Sequence, residues 1–148
     1  MSKATYRDAF NLLCGTLLGE GIHRKVFECR LRPDLVVKVE KDIEWRCFAN
    51  VAEQRFWDDA GTKEALWLAP CVYLSPDGRI LMQRRVAPVA PDDVLPQTVP
   101  AFLTDMKRSN FGWLPDADPQ KPRRLVCVDY AAVISAPSLR MKPAAWRD

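Results

Sequence analysis

The chain has 148 residues, and its formal net charge is +3. This length allows one domain, or one domain in two small lobes, and the 48% of hydrophobic residues are enough for a buried core. No apolar run approaches the ~20 residues of a membrane-spanning helix, and the polar start lacks a signal-peptide core, so we expect a cytoplasmic protein without a membrane partner. One histidine and five scattered cysteines without a Cys-x-x-Cys pair argue against Ser-His-Asp hydrolysis, a zinc site and a disulfide framework.

Patterns in the first part of the chain predict a lead-in and three strands. Tyr6, Phe10 and Leu13 recur at helical spacing, which indicates a short opening helix or an extended segment. Apolar and β-branched runs then predict strands on both sides of a glycine turn, within residues 17–29, and a buried strand over residues 35–39.

A helix and a hairpin follow. Asp42 is a candidate N-cap for a helix over residues 43–59. The buried stripe of that helix is expected to consist of Phe48, Val51, Ala52 and Phe56. Apolar runs at residues 71–74 and 79–82 flank Ser75-Pro76-Asp77-Gly78, which is typical of a hairpin turn. The order of elements predicts a five-stranded antiparallel sheet with one helix packed on it.

The second part of the chain is less regular. Nine of the twelve prolines lie from Pro88 to Pro143, and they break the chain every few residues. We expect one short helix near Phe102 and then a hairpin-like pair of segments at residues 111–114 and 125–128, around a polar loop. The last residues are polar and contain proline, which is typical of a tail.

Polar residues of the first part suit phosphate chemistry. Gly19 and Gly21 lie between two predicted strands, where the lack of a Cβ lets backbone amides approach phosphate oxygens, although a plain hairpin turn also uses such glycines. Lys38 interrupts an apolar strand, and a buried ammonium needs an anion nearby. Glu53 on the following helix is a candidate for that anion. A surface lysine at a strand edge and an exposed helical glutamate are the simpler alternatives.

Polar residues of the second part suit magnesium and proton transfer. Asp105, Lys107 and Asn110 follow the proline-rich stretch, and Asp129 follows the last apolar strand. Carboxylate and amide oxygens are hard ligands of the kind that Mg²⁺ prefers, and an aspartate can also act as a base. An aspartate at a strand end is often only a cap or a turn residue.

Taken in order, these features resemble the protein-kinase-like superfamily. That family has a glycine-rich loop, a strand lysine, a helix glutamate, an Asp-x-x-x-x-Asn loop and an Asp-Phe-Gly-like turn, and this chain has all five within residues 18–131. The resemblance implies an α+β fold. A kinase-like N-terminal lobe, with a five-stranded antiparallel sheet plus one helix, is expected over residues 1–83. A much reduced C-terminal lobe with a catalytic loop and a short hairpin is expected over residues 84–134, and a tail over residues 135–148.

The resemblance also implies ATP and Mg²⁺ as cofactors. The two glycines would lie over the nucleotide phosphates, and Lys38 would contact the α- and β-phosphates and pair with Glu53. Residues 82–86, which include Gln83 and Arg84, would form the hinge against which adenine stacks and hydrogen-bonds.

The remaining roles fall on the second part of the chain. By the same resemblance, Asp105 would orient or deprotonate the acceptor hydroxyl, and Lys107 would neutralise the transferring phosphoryl group. Asn110 and Asp129 would hold magnesium. Phosphoryl transfer needs mainly positioning and charge stabilisation, so it requires no histidine and no cysteine.

Several positions depart from the family pattern. Arg24 stands where the third glycine of the loop is expected, and Leu103-Thr104 replaces the family's His-Arg before the catalytic aspartate. The turn reads Asp129-Tyr130-Ala131 rather than Asp-Phe-Gly. Few residues follow this turn, so we expect most of the usual helical second lobe to be missing.

Two functions follow from these observations. The first is a minimal ATP- and magnesium-dependent phosphotransferase that acts on a protein or small-molecule hydroxyl. The second is a catalytically weak or inactive kinase-like protein that regulates a partner by docking, and apolar residues near the C-terminus could serve a protein partner or a second copy of the chain. The charge is too weak and too dispersed for a nucleic-acid footprint, so nucleic acid is the least favoured partner.

Overall fold

The computed structural model describes residues 2–44, 46–133 and 135–148, without the side chains of residues 4–6, so the expected contact of Tyr6 lies outside the described part. The chain forms two compact units. Unit 1 comprises Met1–Val51 and Cys71–Arg85, and unit 2 comprises Ala52–Pro70 and Val86–Asp148. Among the helices of the described residues, none is long and apolar enough to cross a membrane.

Unit 1 contains a five-stranded antiparallel sheet, which confirms the central prediction from the sequence. Its described elements are helix α1 (Lys3–Leu13) and strands β1 (Cys14–Glu20), β2 (Arg24–Cys29), β3 (Leu35–Glu40), β4 (Cys71–Leu74) and β5 (Ile80–Arg84). The strands lie in the order β1-β2-β3-β5-β4, so β3 is the central strand. With the helices described below, the fold is α+β.

The core of unit 1 lies between α1 and the sheet. Cys14, Cys29, Leu35 and Val37 are buried there. Phe10 of α1 packs edge-on against the ring of Phe27, with ring centroids 5.2 Å apart. Full burial of a leucine or valine side chain contributes about 1.5–3 kcal/mol, and Phe10 and Leu13 of α1 pack against this cluster.

The predicted hairpin between β4 and β5 is confirmed. The amide of Gly78 donates to the carbonyl oxygen of Ser75 at 2.9 Å, which closes the turn. Gly78 has φ +73°, a left-handed conformation that favours glycine. The Asp77 carboxylate accepts hydrogen bonds from the Ser75 hydroxyl and the Arg79 amide, as aspartates often do in turns.

The second helix differs from its prediction at its start. Helix α2 covers Ala49–Asp59, so the expected cap at Asp42 is wrong. Phe48 has φ 55°, and a right-handed helix cannot continue through a left-handed residue. The predicted helix also included Trp45, which lies outside the described residues.

The buried side of α2 also differs from the prediction. Phe48 is 52% exposed, and Val51 and Ala52 are only half-buried. The buried positions are Ala49, Asn50, Glu53 and Phe56, which recur at helical spacing. Two of them are polar, so a search for an apolar stripe could not find this face.

Unit 2 contains two small sheets. Its strands are β6 (Ala87–Pro88), β7 (Thr98–Pro100), β8 (Phe111–Leu114), β9 (Arg124–Cys127) and β10 (Met141–Pro143). Strands β6, β8 and β9 form one sheet, and β7 pairs with β10. The predicted hairpin of residues 111–114 and 125–128 is confirmed by the antiparallel pairing of β8 and β9.

Two expectations for unit 2 need correction. The short helix expected near Phe102 is wrong, because this residue lies in a turn directly after the extended strand β7. Residues 135–148, expected as a tail, include β10, which pairs with β7 in unit 2. Backbone hydrogen bonds with β7 therefore hold part of this segment, although its composition is that of a free end.

Aromatic rings organise the interior of unit 2. Phe56 of α2 lies 5.4 Å from Phe102 and 5.7 Å from Tyr130, measured between ring centroids. A second cluster contains Leu114 and Val126 of the β8–β9 hairpin. Offset and tilted aromatic contacts add to the stabilisation from area burial, so these rings anchor the irregular segments around them.

The thiol of Cys14 is expected to be unreactive in the native protein. Burial raises its pKa from 9.0 to about 11, so the reactive thiolate is scarce at pH 8. Cys47 is exposed and should be alkylated first. Mass spectrometry of maleimide-treated protein checks this order, with urea-unfolded protein as the control in which all five cysteines react. Rapid native labelling of Cys14 would contradict the burial.

Gly112 is expected to be intolerant of a side chain. A Cβ at this position would clash with the Val86 side chain and lie 2.8 Å from the Ala87 carbonyl oxygen. We expect Gly112→Ala to lower the free energy of unfolding by about 1–3 kcal/mol, measured by urea denaturation. Gly19→Ala is the matched control, because a Cβ at Gly19 meets no described atom within 4 Å. Equal stability of the two variants would contradict this account.

Candidate functional site

The glycine loop of unit 1 is open. Gly19 pairs with Val26 near the end of β1, and the Gly21 amide donates to the Arg24 carbonyl oxygen at 2.9 Å. A Cβ at Gly19 would have no described neighbour within 4 Å, and one at Gly21 would meet only a carbonyl oxygen at 3.9 Å. Packing therefore does not require glycine at either position, whereas close approach of a ligand to the backbone would.

Lys38 is buried on the central strand of the same unit. It lies in register with Val26 on β2 and Leu81 on β5, and it is 4% exposed. The alternative of a surface lysine at a strand edge is therefore wrong. Taking an ammonium group out of water is costly, so a buried lysine needs polar or charged groups around it.

A buried polar network lies beside Lys38 in unit 1, and sequence reasoning missed it. The Asn50 side-chain amide donates to the Lys38 carbonyl oxygen at 3.1 Å, and its own oxygen accepts from Arg24 at 3.2 Å. The Asn50 backbone amide donates to the Glu40 carboxylate at 2.9 Å, and this carboxylate also pairs with Arg46. The network fixes the start of α2 to the end of β3.

The same network includes Arg24, the residue that departs from the glycine pattern of the family that the chain resembles. Arg24 is buried, and its guanidinium donates to Asn50. The larger residue thus contributes to the interior of unit 1. The only signal in the sequence was a set of polar residues next to apolar runs, and such residues more often face solvent.

The predicted hinge lies at the end of β5. Gln83 is buried and lies in register with Val36 on β3, whereas Arg84 is half-buried with its Nε 4.0 Å from the Asp34 carboxylate. The next residue, Arg85, is the last of unit 1, and its amide donates to the Asp34 carbonyl oxygen at 2.8 Å. Gln83 is also in register with Cys71 on β4, so neighbouring strands lie on both sides of this residue.

Glu53 is buried in unit 2. It is 0% exposed, so the alternative of an exposed helical glutamate is wrong. Its carboxylate accepts a hydrogen bond from the Tyr130 backbone amide at 3.0 Å. The Tyr130 hydroxyl donates to the Ala69 carbonyl oxygen at 2.7 Å. Tyr130 in the Asp-Tyr-Ala turn therefore forms a hydrogen bond that a phenylalanine at this position could not form.

The Asp-x-x-x-x-Asn loop is closed by its own asparagine. The Asn110 side-chain amide donates to the Asp105 carbonyl oxygen at 3.3 Å, and its backbone amide donates to the Lys107 carbonyl oxygen at 2.9 Å. The Asn110 carbonyl oxygen accepts from the Val128 amide at 2.8 Å. These bonds tie the loop to the residue that precedes Asp129.

Unit 2 brings the two candidate aspartates to one cavity. The cavity has a volume of about 60 Å³, and its lining includes Asp105 and Asp129 together with Leu103, Thr104, Phe111, Cys127, Ala132 and Val133. Pockets for drug-sized ligands measure about 300–1,000 Å³, so this one is too small to enclose a nucleotide. Lys107 is exposed and does not line it.

The donor set matches magnesium only in combination with other ligands. Within residues 2–44, 46–133 and 135–148, no group of three or more His, Cys, Asp or Glu side chains is arranged to hold a metal. Asn110, unlike Asp105 and Asp129, does not line the cavity. Mg²⁺ is often bound by one or two carboxylates plus waters and substrate phosphates, and Asp129 offers one such carboxylate.

Comparisons with known proteins add no family assignment. No protein-family model matches the chain, and no curated protein sequence matches it either. The kinase-like interpretation therefore depends on the residues and contacts described above.

Removal of the Glu53 carboxylate should loosen the Asp-Tyr-Ala turn. We expect Glu53→Ala to lower the free energy of unfolding by about 1–3 kcal/mol, because the buried Tyr130 amide loses its acceptor. Glu53→Gln keeps an acceptor oxygen and is expected to lose less. Urea denaturation of both variants measures the difference, and greater damage from Gln than from Ala would contradict the hydrogen-bonding role.

Proposed function

We propose that the chain is a minimal protein-kinase-like phosphotransferase that uses ATP and Mg²⁺ to phosphorylate a hydroxyl group of a protein or small molecule in the cytoplasm. The observation that carries the proposal is in unit 2, where Asp105 and Asp129 line one cavity and Asn110 is hydrogen-bonded to the Asp105 backbone. Asp105 and Asp129 are distant in sequence and line the same cavity, which supports their assignment to phosphoryl transfer.

The residues of unit 1 would bind the nucleotide. The open loop at Gly19 and Gly21 leaves room for phosphate oxygens against backbone amides. The buried charge of Lys38 would interact with the α- and β-phosphates and, as the resemblance implies, with Glu53. The backbone near Gln83 and Arg84 would hydrogen-bond to adenine.

The residues of unit 2 would perform the transfer. Asp105 would accept the proton of the acceptor hydroxyl. The oxygen of that hydroxyl would bond to the γ-phosphorus while the bond between the γ-phosphorus and the β–γ bridging oxygen breaks. Lys107 would offset charge on the transferring group. Asn110 and Asp129 would hold Mg²⁺, which supplies further charge neutralisation when bound.

A second function is favoured by one specific contact. The Asp105 carboxylate forms an ion pair with Arg147, with the two charged atoms 2.6 Å apart. If Arg147 covered the part of the Asp105 carboxylate that an acceptor hydroxyl must reach, Asp105 could not serve as a base. The chain would then be a nucleotide-binding or docking protein with little or no turnover, acting on a protein partner.

Nucleotide binding and phosphoryl transfer test the proposal directly. We expect ATP with Mg²⁺ to raise the melting temperature, and we expect Lys38→Met and Asp129→Asn each to weaken nucleotide affinity about tenfold or more, because each removes a charged contact. Asp105→Asn should keep binding but lower transfer about 10²- to 10⁴-fold. Isothermal titration and γ-phosphate transfer to a panel of acceptors supply the measurements.

The control is Lys121→Met, which removes an exposed lysine from the polar loop of unit 2. It should leave both readouts unchanged. Binding without transfer to any acceptor would favour the docking function. No thermal shift with nucleotide, and no effect of either Lys38→Met or Asp129→Asn, would overturn the assignment of the site.

A further inference from the structure

The C-terminal residues 140–148 form a segment that we call the strap, and it is fastened along its length within unit 2. Strand β10 pairs with β7, and this pairing is extended by hydrogen bonds from the Ala101 amide to the Arg140 carbonyl oxygen (2.7 Å) and from the Ala144 amide to the Gln97 carbonyl oxygen (2.8 Å). Main-chain bonds at both ends of β10 indicate a fixed element rather than a lid.

Trp146 fastens the strap next to the candidate catalytic loop. Its indole N–H donates to the Pro96 carbonyl oxygen at 2.9 Å. Its ring packs edge-on against Phe111, the residue directly after Asn110, with ring centroids 4.9 Å apart. A large aromatic side chain with a satisfied polar end is an effective anchor.

The end of the strap pairs with the loop itself. The Arg147 amide donates to the Met106 carbonyl oxygen at 3.0 Å, and the Arg147 carbonyl oxygen accepts from the Arg108 amide at 2.9 Å. These two bonds flank Lys107 in a parallel bridge. An otherwise irregular loop thereby gains a backbone partner on both sides of a candidate catalytic residue.

The Arg147 side chain completes the arrangement at Asp105. Its Nη2 lies 2.6 Å from Oδ1 of the Asp105 carboxylate, and the two side chains are 58% and 55% exposed. Exposed ion pairs contribute little to stability. The effect of the Arg147–Asp105 pair is therefore sought in the orientation of the Asp105 carboxylate rather than in the free energy of unfolding. Because one oxygen accepts the guanidinium and the group remains open to water, the other oxygen is available to an acceptor hydroxyl.

We propose that the strap orders the loop of residues 105–110 and that Arg147 is a positioning residue, which holds the Asp105 carboxylate for the acceptor. The role of Arg147 rests on the proposed phosphotransferase function, whereas the ordering of the loop does not. The C-terminal end of the chain thus supplies order that the loop's own sequence does not encode.

Two full-length variants separate the two parts of the proposal. Trp146→Ala should speed hydrogen exchange of the Arg108 and Arg147 amides about tenfold or more, since it releases the strap locally. Arg147→Gln keeps the backbone bonds, so exchange at Arg108 and the melting temperature should stay unchanged. It should lower kcat about 10- to 100-fold with little change in KM for ATP, because only the orientation of Asp105 is lost. Arg147→Lys should restore part of kcat.

Arg140→Gln is the matched control, since Arg140 is an exposed arginine of the same strap. It should change neither exchange nor kcat. If Arg147→Gln were as active as the unchanged chain, or more active, a positioning role for Arg147 would be overturned, and higher activity would identify it as a blocking group.

The proposed function can fail separately. If the unchanged chain transferred no phosphate, that function and the role of Arg147 would both be rejected. Protection of the Arg108 amide in the unchanged chain, and its loss in Trp146→Ala, would still support the strap. Unprotected Arg108 in the unchanged chain would overturn the strap whatever the activity.

Discussion

The hydrogen bond between the buried Glu53 carboxylate and the Tyr130 amide is the contact on which unit 2 depends most. A carboxylate that is 0% exposed cannot be left without polar partners, because burial of an unsatisfied charge would outweigh the net stability of a small domain. The bond fixes the backbone directly after Asp129. The Tyr130 hydroxyl bond to Ala69 and the ring contact with Phe56 then fix the residue from two further sides.

Unit 1 also buries polar and charged side chains, and a different set of hydrogen bonds pairs them. Arg24, Glu40 and Asn50 are all buried, and their hydrogen bonds join the start of α2 to β3. Apolar residues of similar volume would often be at least as stable, so buried polar groups of this kind are better explained by geometry than by stability. They hold Lys38 and the start of α2 in a defined arrangement, which a nucleotide site would need.

The strap shows how a few backbone hydrogen bonds and one tryptophan can hold an irregular loop in place. The arrangement also places a guanidinium beside Asp105. Whether Asp105 acts as a base therefore depends on Arg147. A measurement of the effect of this one contact distinguishes the two proposed functions.

Sequence patterns alone determined the strands of the large sheet and the β4–β5 and β8–β9 hairpins. Apolar patterns indicate strands and residues such as Gly78 indicate turns, and both signals depend on only a few neighbouring positions. They could not locate the start of α2, which depends on the left-handed Phe48, or its buried polar face. The kinase-like class itself stays a proposal. Only the tertiary structure placed Arg147 against Asp105, 42 residues away, and Glu53 against Tyr130, 77 residues away. Such pairs leave no periodic signal, since each is decided by how distant backbone segments pack.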